Sequence, residues 1–437
     1  MLLSMRPVPL IQPLRQHTSH SANAEAADFS MPRFITRQPL LDRAFNIIGY
    51  ELKVSPAGPL PVLPGATSWR QIQDEALLVS VIDLEYQQAL KRRLTLLNLD
   101  SESLNSPLLD KLPRARAILA VHPHNPTPEL LARCQAMARE GYALALDAAA
   151  LMPGMIPLAM QSTYLRFDAG ANDLMSLTDQ LVRIQNIQNI QGPSLIARNV
   201  ENAETFAACH KLSFDLFQGY FFAQPALVRA RGIDTSRLRI IKLLNLVMSH
   251  ADFAGIEAQF KLDPGLTLKM LRFINSVGVG LRYPVRSIGH ALLMLGHDQL
   301  YRWLTLLLFT HQASDGRNQA LLINALVRAR LAESLGQYQL AKADCDGLFI
   351  AGILSMLEAL LNLPMVQILA ALNLSEPIVA ALLHGRGIYA PYLSLAIALE
   401  NGDPASIGQL AQALGLSHET LNLAHMNALI WSEGMEV

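Results

Sequence analysis

Between Arg33 and about Pro225 short apolar runs alternate with helical stretches, and this alternation constrains the fold more than any other feature of the chain. The runs are "FNIIGYELKV" (45–54), "LTLLNLD" (94–100), "AILAVH" (117–122), "ALALD" (143–147), "YLRFD" (164–168), "SLIARN" (194–199) and "FQGYFF" (217–222). Amphipathic segments lie between several of them. In "TPELLARCQAMAREG" (127–141), Thr127 and Pro128 suit a helix start and Gly141 a stop. Strands alternating with helices imply a parallel sheet, and so many in series imply a closed (β/α) barrel. Functional groups in such barrels sit at the C-terminal ends of the strands. Glu51, Asn98, His122, Asp147, Arg166, Arg198 and Gln218 all fall there.

After about Ala230 the strand-like runs vanish. In "LTLKMLRFINSVG" (266–278), Leu266, Met270, Phe273, Ile274 and Val277 share one helical face. Ser287 can cap "IGHALLMLG", which Gly296 ends, and further helices run through "NQALLINALVRARLAESLG" and "GLFIAGILSMLEALLNL". The expected organisation is a tail over 1–30, a barrel over 31–230 and an all-α domain over 231–437. Scattered prolines in the tail leave no signal-peptide core, so it reads as flexible, with Met1 or Met31 as the start.

Composition narrows the function classes. Of 437 residues, 51% are apolar and 16% charged, which suits packed domains rather than disorder. A formal net charge of -1 gives no bulk attraction to nucleic acid or anionic membrane. Cys134, Cys209 and Cys345 are few and far apart, as expected of reduced thiols in a cytoplasm. The apolar run "WLTLLLF" (303–309) is too short to span a membrane and reads as a buried helix.

"RQPLLDRAFNIIGYEL" followed by "FDLFQGYFFAQP" resembles the entrance and exit signatures of EAL domains, the cyclic di-GMP phosphodiesterase barrels. "LDPGLTLKMLRFINSVGVGLRYPVRSIGHALLMLGHDQLYRWL" resembles the HDOD domain, a helical relative of HD phosphohydrolases that has lost its metal site. The resemblance covers residues 33–437 and implies a bacterial EAL–HDOD signalling protein: an EAL-type, TIM-like (β/α) barrel followed by an all-helical HDOD domain.

The EAL resemblance implies two divalent cations held by carboxylates. Glu51 matches the glutamate naming the motif, Asn98 an asparagine ligand, and Gln218 a retained glutamine. Leu119 and His122 fall where the third strand supplies glutamates. Asp147 matches the first aspartate of an Asp-Asp-Phe triplet whose other places hold Ala148 and Ala149. Arg166 replaces a lysine, and Arg198 replaces a metal-site glutamate. A unit charge pair about 4 Å apart interacts by about 4 kcal/mol even at an effective dielectric of 20, and a guanidinium facing a metal has the wrong sign. The expectation is therefore a degenerate barrel without metal, cofactor or catalytic residues: not an enzyme. Arg166 and Arg198 either hold a phosphate or dinucleotide directly, or pair with Asp147, Asp168 or Glu51 and close the pocket; the pairing is preferred.

In the helical half, Ser355 and Met356 of "GILSMLEAL" fall at the HD-type ligand places, and a serine with a thioether does not suit a hard metal. His297-Asp298 follows a helix-ending glycine and reads as structural. "ASIGQLAQALGLSHETLNLAH" (405–425) scans as a helix-turn-helix, but no Lys or Arg lies beyond Asp403. A helical hairpin packing beneath "NALIWSEG" is expected instead, with no nucleic acid bound. The expected role is non-catalytic coupling to protein partners through the HDOD domain, with the loop "GVGLRYPVR" (278–286) as a candidate surface. The alternatives are a residual phosphodiesterase, with His122 as an improvised ligand, and a metal-free cyclic di-GMP receptor.

Overall fold

The computed structural model describes residues 33–433 apart from 57–68, 83–92, 123–126, 149–155, 160–161, 172–173, 186–192, 225–234, 276–284, 286 and 311–315. The expected tail, Ala149, Val277 and all of the loop 278–286 except Val285 lie outside the described residues.

Eight strands close into a barrel in sequence order. They are β1 (Arg33–Asp42), β2 (Ile47–Pro56), β3 (Leu94–Asp100), β4 (Ala117–His122), β5 (Ala143–Asp147), β6 (Tyr164–Asp168), β7 (Ser194–Arg198) and β8 (Leu216–Gln218). Four runs become strands over the expected residues, and 194–199 loses only Asn199, which turns out at φ +55°. The last run is cut short. Gly219 adopts φ +145°, and a Cβ there would sit 2.0 Å from the Val200 carbonyl oxygen, so the chain leaves β8 straight after Gln218.

The expectation of an all-parallel sheet is corrected at β1, which runs antiparallel to both β2 and β8. The link from Asp42 to Ile47 is too short for a parallel crossover. The Asp42 carboxylate closes that turn by accepting from the backbone N–H groups of Ala44 and Asn46, each at 2.8 Å. Pro39, which offers no N–H, hides this strand in the sequence.

Helices α1 (Trp69–Ile82), α2 (Pro128–Arg139), α3 (Ile156–Ala159), α4 (Leu174–Gln185) and α5 (Ala203–Lys211) lie between the strands. As the sequence indicated, the Thr127 hydroxyl caps α2 by accepting from Leu130 N–H at 3.2 Å. Inside the barrel, Leu40, Leu96, Ile118, Ala120, Ala145, Ile196 and Leu216 form a plug.

The second half is helical: α6 (Thr235–Met248), α7 (Phe253–Lys261), α8 (Pro264–Ile274), α9 (Ile288–Thr310), α10 (Gly316–Gly336), α11 (Lys342–Leu354), α12 (Leu357–Leu361), α13 (Met365–Ala370), α14 (Glu376–His384), α15 (Ala390–Asn401), α16 (Pro404–Ala413) and α17 (His418–Glu433). Leu266, Met270 and Ile274 of α8 are buried on one stripe, and Ser287 caps α9 by accepting from His290 N–H. Gly296, at φ +70°, breaks α9 where the sequence placed a stop. The expected continuous helix over 347–363 breaks at Ser355–Met356. Residues 427–433 are not a separate support for a hairpin: they are the last turns of α17 itself. Among the described residues, no helix is long and apolar enough to cross a membrane.

The barrel and helices share one apolar cluster running from Phe34 to Leu429. Along one face of α17, Asn422 accepts from Ile35 N–H at 3.0 Å and His425 Nδ1 lies 3.1 Å from the Ile35 carbonyl. On the last turn Glu433 accepts from Tyr50 Oη at 3.3 Å and pairs with Arg93 at 3.0 Å. Burial, assisted by the Arg37 charge, pushes His425 down to about 3, so the ring is neutral and Nδ1–H donates to Ile35. Between its ordinary value of 6.5 and about 3 the folded chain holds one proton fewer than the unfolded chain. Stability is therefore present above the ordinary value and falls as the pH drops below it, by up to ~1.4 kcal/mol per pH unit from this group. Urea unfolding between pH 7.5 and 5 should show that slope, and His425→Asn, which keeps a donor, should flatten it.

Candidate functional site

Alternation along each strand decides which side chains enter the barrel mouth. Residues above the plug on β3, β5, β6, β7 and β8 are Asn98, Asp147, Arg166, Arg198 and Gln218, each two positions beyond a plug or lining residue on its strand. Register brings Asp147 beside Arg166, Asp168 beside Arg198, and Gln38 beside Glu51. Six of the seven residues named from the sequence thus end at one mouth; the side chain of the seventh, His122, lies outside the described residues.

Their contacts form a chain of charges. Arg166 has a fully buried side chain, donates from Nε to Asp147 Oδ1 at 2.8 Å, and places Nη1 3.7 Å from Glu51 Oε1. Arg198 Nη1 lies 3.6 Å from the same Asp147 oxygen, and its Nη2 3.7 Å from Asp168. Glu51, only 2% exposed, also meets the Lys53 ammonium at 2.8 Å and accepts from Gln218 Nε2. Gln218 Nε2 donates to Gln38 Oε1 as well, at 2.8 Å. Burial pulls Arg166 below its ordinary value, Asp147 opposes that shift and Arg198 adds to it. A guanidinium stays charged at neutral pH regardless. Asp147 is therefore an anchor between two guanidiniums.

The residues present do not fit the two divalent cations that the EAL resemblance implies. Lys53, Arg166 and Arg198 already match Glu51, Asp147 and Asp168 one for one. Among the described residues no group of three His, Cys, Asp or Glu side chains could hold a metal. One substituted position needs correction: Leu119 belongs to the outer core beneath the helices, and its neighbour Ala120 lies inside the barrel, paired in register with Asn98. Ala148 is buried just past β5.

The mouth also holds unused hydrogen-bonding capacity. Asn98 Oδ1, Arg198 Nε and Gln218 Oε1 are buried and lack a hydrogen-bond partner among the described residues. Two are acceptors and one a charged donor. Buried polar atoms are otherwise almost always satisfied, so their convergence marks a place where a polar ligand can dock.

Sequence reasoning did not find Lys53 or Gln38. Lys53 was legible in principle, two residues beyond Glu51 on the same strand face. Gln38 becomes visible only once β1 is recognised and registered against β2.

The helical half repeats the arrangement. Ser355 Oγ accepts from Arg328 Nη1 at 2.8 Å, and Arg328 makes two bonds to the buried Glu400, from Nε at 2.9 Å and Nη2 at 2.8 Å. Asn324 donates to the same carboxylate at 2.5 Å. An ion pair fills the place where the HD resemblance would put ligands. His297 instead meets the Ala251 carbonyl through Nε2 at 3.0 Å and stacks on Phe253. The helix-turn-helix over 405–425 has its second helix committed to the core through Leu421, Ala424 and Leu429.

The HDOD domain family model matches residues 234–374. The cyclic di-GMP phosphodiesterase CdgJ of Vibrio cholerae is 24% identical over 404 residues, 92% of this chain and 92% of that protein. The uncharacterized protein YuxH of Bacillus subtilis is 23% identical over 407 residues, 92% of this chain and 98% of that protein. A structure of the EAL enzyme Bd1971 in its cAMP- and cyclic-di-GMP-bound form has a TM-score of 0.35 and 15% identity, covering 45% of this chain and 62% of that one, less than two thirds of its length. The chain thus matches the HDOD model over 234–374 and is similar over most of its length to a protein named a cyclic di-GMP phosphodiesterase.

One expectation is overturned here. Substituted ligand positions led to the reading that the chain is not an enzyme, but a relative aligned with 92% of it is named a phosphodiesterase. Ligand losses inferred from spacing do not establish lost activity.

Proposed function

We propose that this chain recognises cyclic di-GMP at the barrel mouth, through Arg198, Asn98 and Gln218, and passes that state to protein partners through its helical half. The barrel over 31–230 and the helices over 231–437 are its two working units. The observation that carries the reading is the convergence of the open Asn98, Arg198 and Gln218 atoms on a mouth whose charge is already balanced. Arg166 is sealed inside and positions Asp147; Arg198, 20% exposed at its side chain, is the cation a phosphodiester can reach. Guanine N–H groups offer donors to the two amide oxygens.

The test is calorimetric titration of the folded full chain with cyclic di-GMP in the presence of a chelator. Binding is expected, and Arg198→Ala should weaken it at least about tenfold, the loss typical of one charge-assisted hydrogen bond. Absence of heat with wild-type protein overturns the reading. A second reading, hydrolysis of the same dinucleotide, is favoured by the meeting of Glu51, Asn98 and Asp147 at one mouth. Manganese-supported turnover that Glu51→Ala abolishes would establish it; turnover unaffected by that substitution would remove it.

A further inference from the structure

Three neighbouring strands each place one residue in the mouth and a nearby residue against the helical half. On β1, Gln38 accepts from Gln218 inside, while Arg37, one residue earlier, is buried outside with its guanidinium 4.8 Å above the Tyr50 ring. On β2, Glu51 faces in and Tyr50 faces out to Glu433 of α17. At the end of β8 Gln218 faces in, and just past it the hydroxyl of buried Tyr220 donates to the Arg37 carbonyl at 3.0 Å. Burial, and next the Glu400 charge, raise the Tyr220 hydroxyl above its ordinary value. α17 holds the outer edge through Asn422 and His425 on Ile35. Gly402, ending α15, would bring a Cβ within 3.5 Å of Thr36 Oγ1.

We propose that the β1–β2 hairpin, with the Gln218–Tyr220 turn, is the mechanical link by which occupancy of the mouth regulates the helical half. This rests on the mouth being a ligand site and names how that site is read. A ligand that draws Gln218 through its open Oε1 pulls on the Gln218–Gln38–Glu51 trio held by the same amide, and these strands and the turn after β8 carry Arg37, Tyr50 and Tyr220 beside it. The response reaches α17 because its grip is on β1 main-chain atoms, which cannot move without it. The coupling is reciprocal: loosening α17 changes affinity at the mouth.

Hydrogen–deuterium exchange on the full chain tests it without requiring a ligand. Gln38→Leu breaks the trio from the inside; amides of α17 and β1 should exchange at least about fivefold faster. Those of α2, across the barrel, should keep their wild-type rates. Gln38→Asn, a milder change, serves if the leucine variant does not fold. Unchanged α17 exchange, or equal acceleration everywhere, overturns the link. In parallel, saturating wild type with cyclic di-GMP should alter α17 exchange, and Asn422→Ala, remote from the mouth, should change dinucleotide affinity about fivefold. Bound dinucleotide with unaltered α17 overturns the link; no binding at all overturns the functional reading alone, and the Gln38 variants still decide the coupling.

Discussion

Glu400→Leu is expected to lower the unfolding free energy by about 3–5 kcal/mol, the range for breaking a buried ion pair from one side. Glu400 and Arg328 are each 9% exposed, and the carboxylate accepts two bonds from Arg328 and one from Asn324. Among the described residues, leucine leaves the guanidinium only the Ser355 hydroxyl to bond, in an interior too dry to solvate it. Removing both partners should behave differently. Arg328→Met with Glu400→Leu replaces the pair by apolar groups of similar volume, and such replacement is near neutral or stabilising elsewhere. Urea titration of the two single variants and the double variant therefore yields a strongly non-additive cycle. A Glu400→Leu loss below about 1 kcal/mol would mean that water reaches the pair and that the three helices are not held by it.

How much of this was legible depends on where each residue's neighbours come from. Strands β3 to β6 declare themselves because each is a short apolar run with its own polar stop, and its burial is supplied by the next βα unit. β1 does not. Its outer face carries Arg37 and is covered by α17, whose Asn422 is 387 residues away from Ile35, so no local window contains the reason it is a strand. Leu119 illustrates a second limit. Alignment by spacing can slip by one residue, and in a strand that slip exchanges the barrel interior for the helix-facing side. The Asp147–Arg166 pairing could be read from two adjacent parallel strands ending in charged residues. Ser355 stands at a break that the sequence did not reveal, its partners Arg328 and Glu400 stand on two other helices, and nothing along the chain announces that they meet.

Arg166→Met carries the other large effect, and it bears on what the mouth can hold. The Arg166 side chain is wholly buried, donates to Asp147 at 2.8 Å and faces Glu51 at 3.7 Å. Methionine fills much of its volume but leaves two carboxylates in a low-dielectric site, with Lys53 on one and Arg198 on the other as the remaining counter-charges. A loss of about 3 kcal/mol is expected at neutral pH, at the lower end of the range for a broken buried pair because those two cations stay. The same change removes the positive charge that stands between Glu51 and Asp147. Hard divalent cations favour such oxygen donors. Millimolar manganese should then raise the thermal midpoint of Arg166→Met by binding only its folded form, while leaving wild type unmoved. If manganese stabilises both proteins alike, the guanidinium does not exclude cations from the mouth, and the charge matching of Lys53, Arg166 and Arg198 against the three carboxylates is not what governs its chemistry.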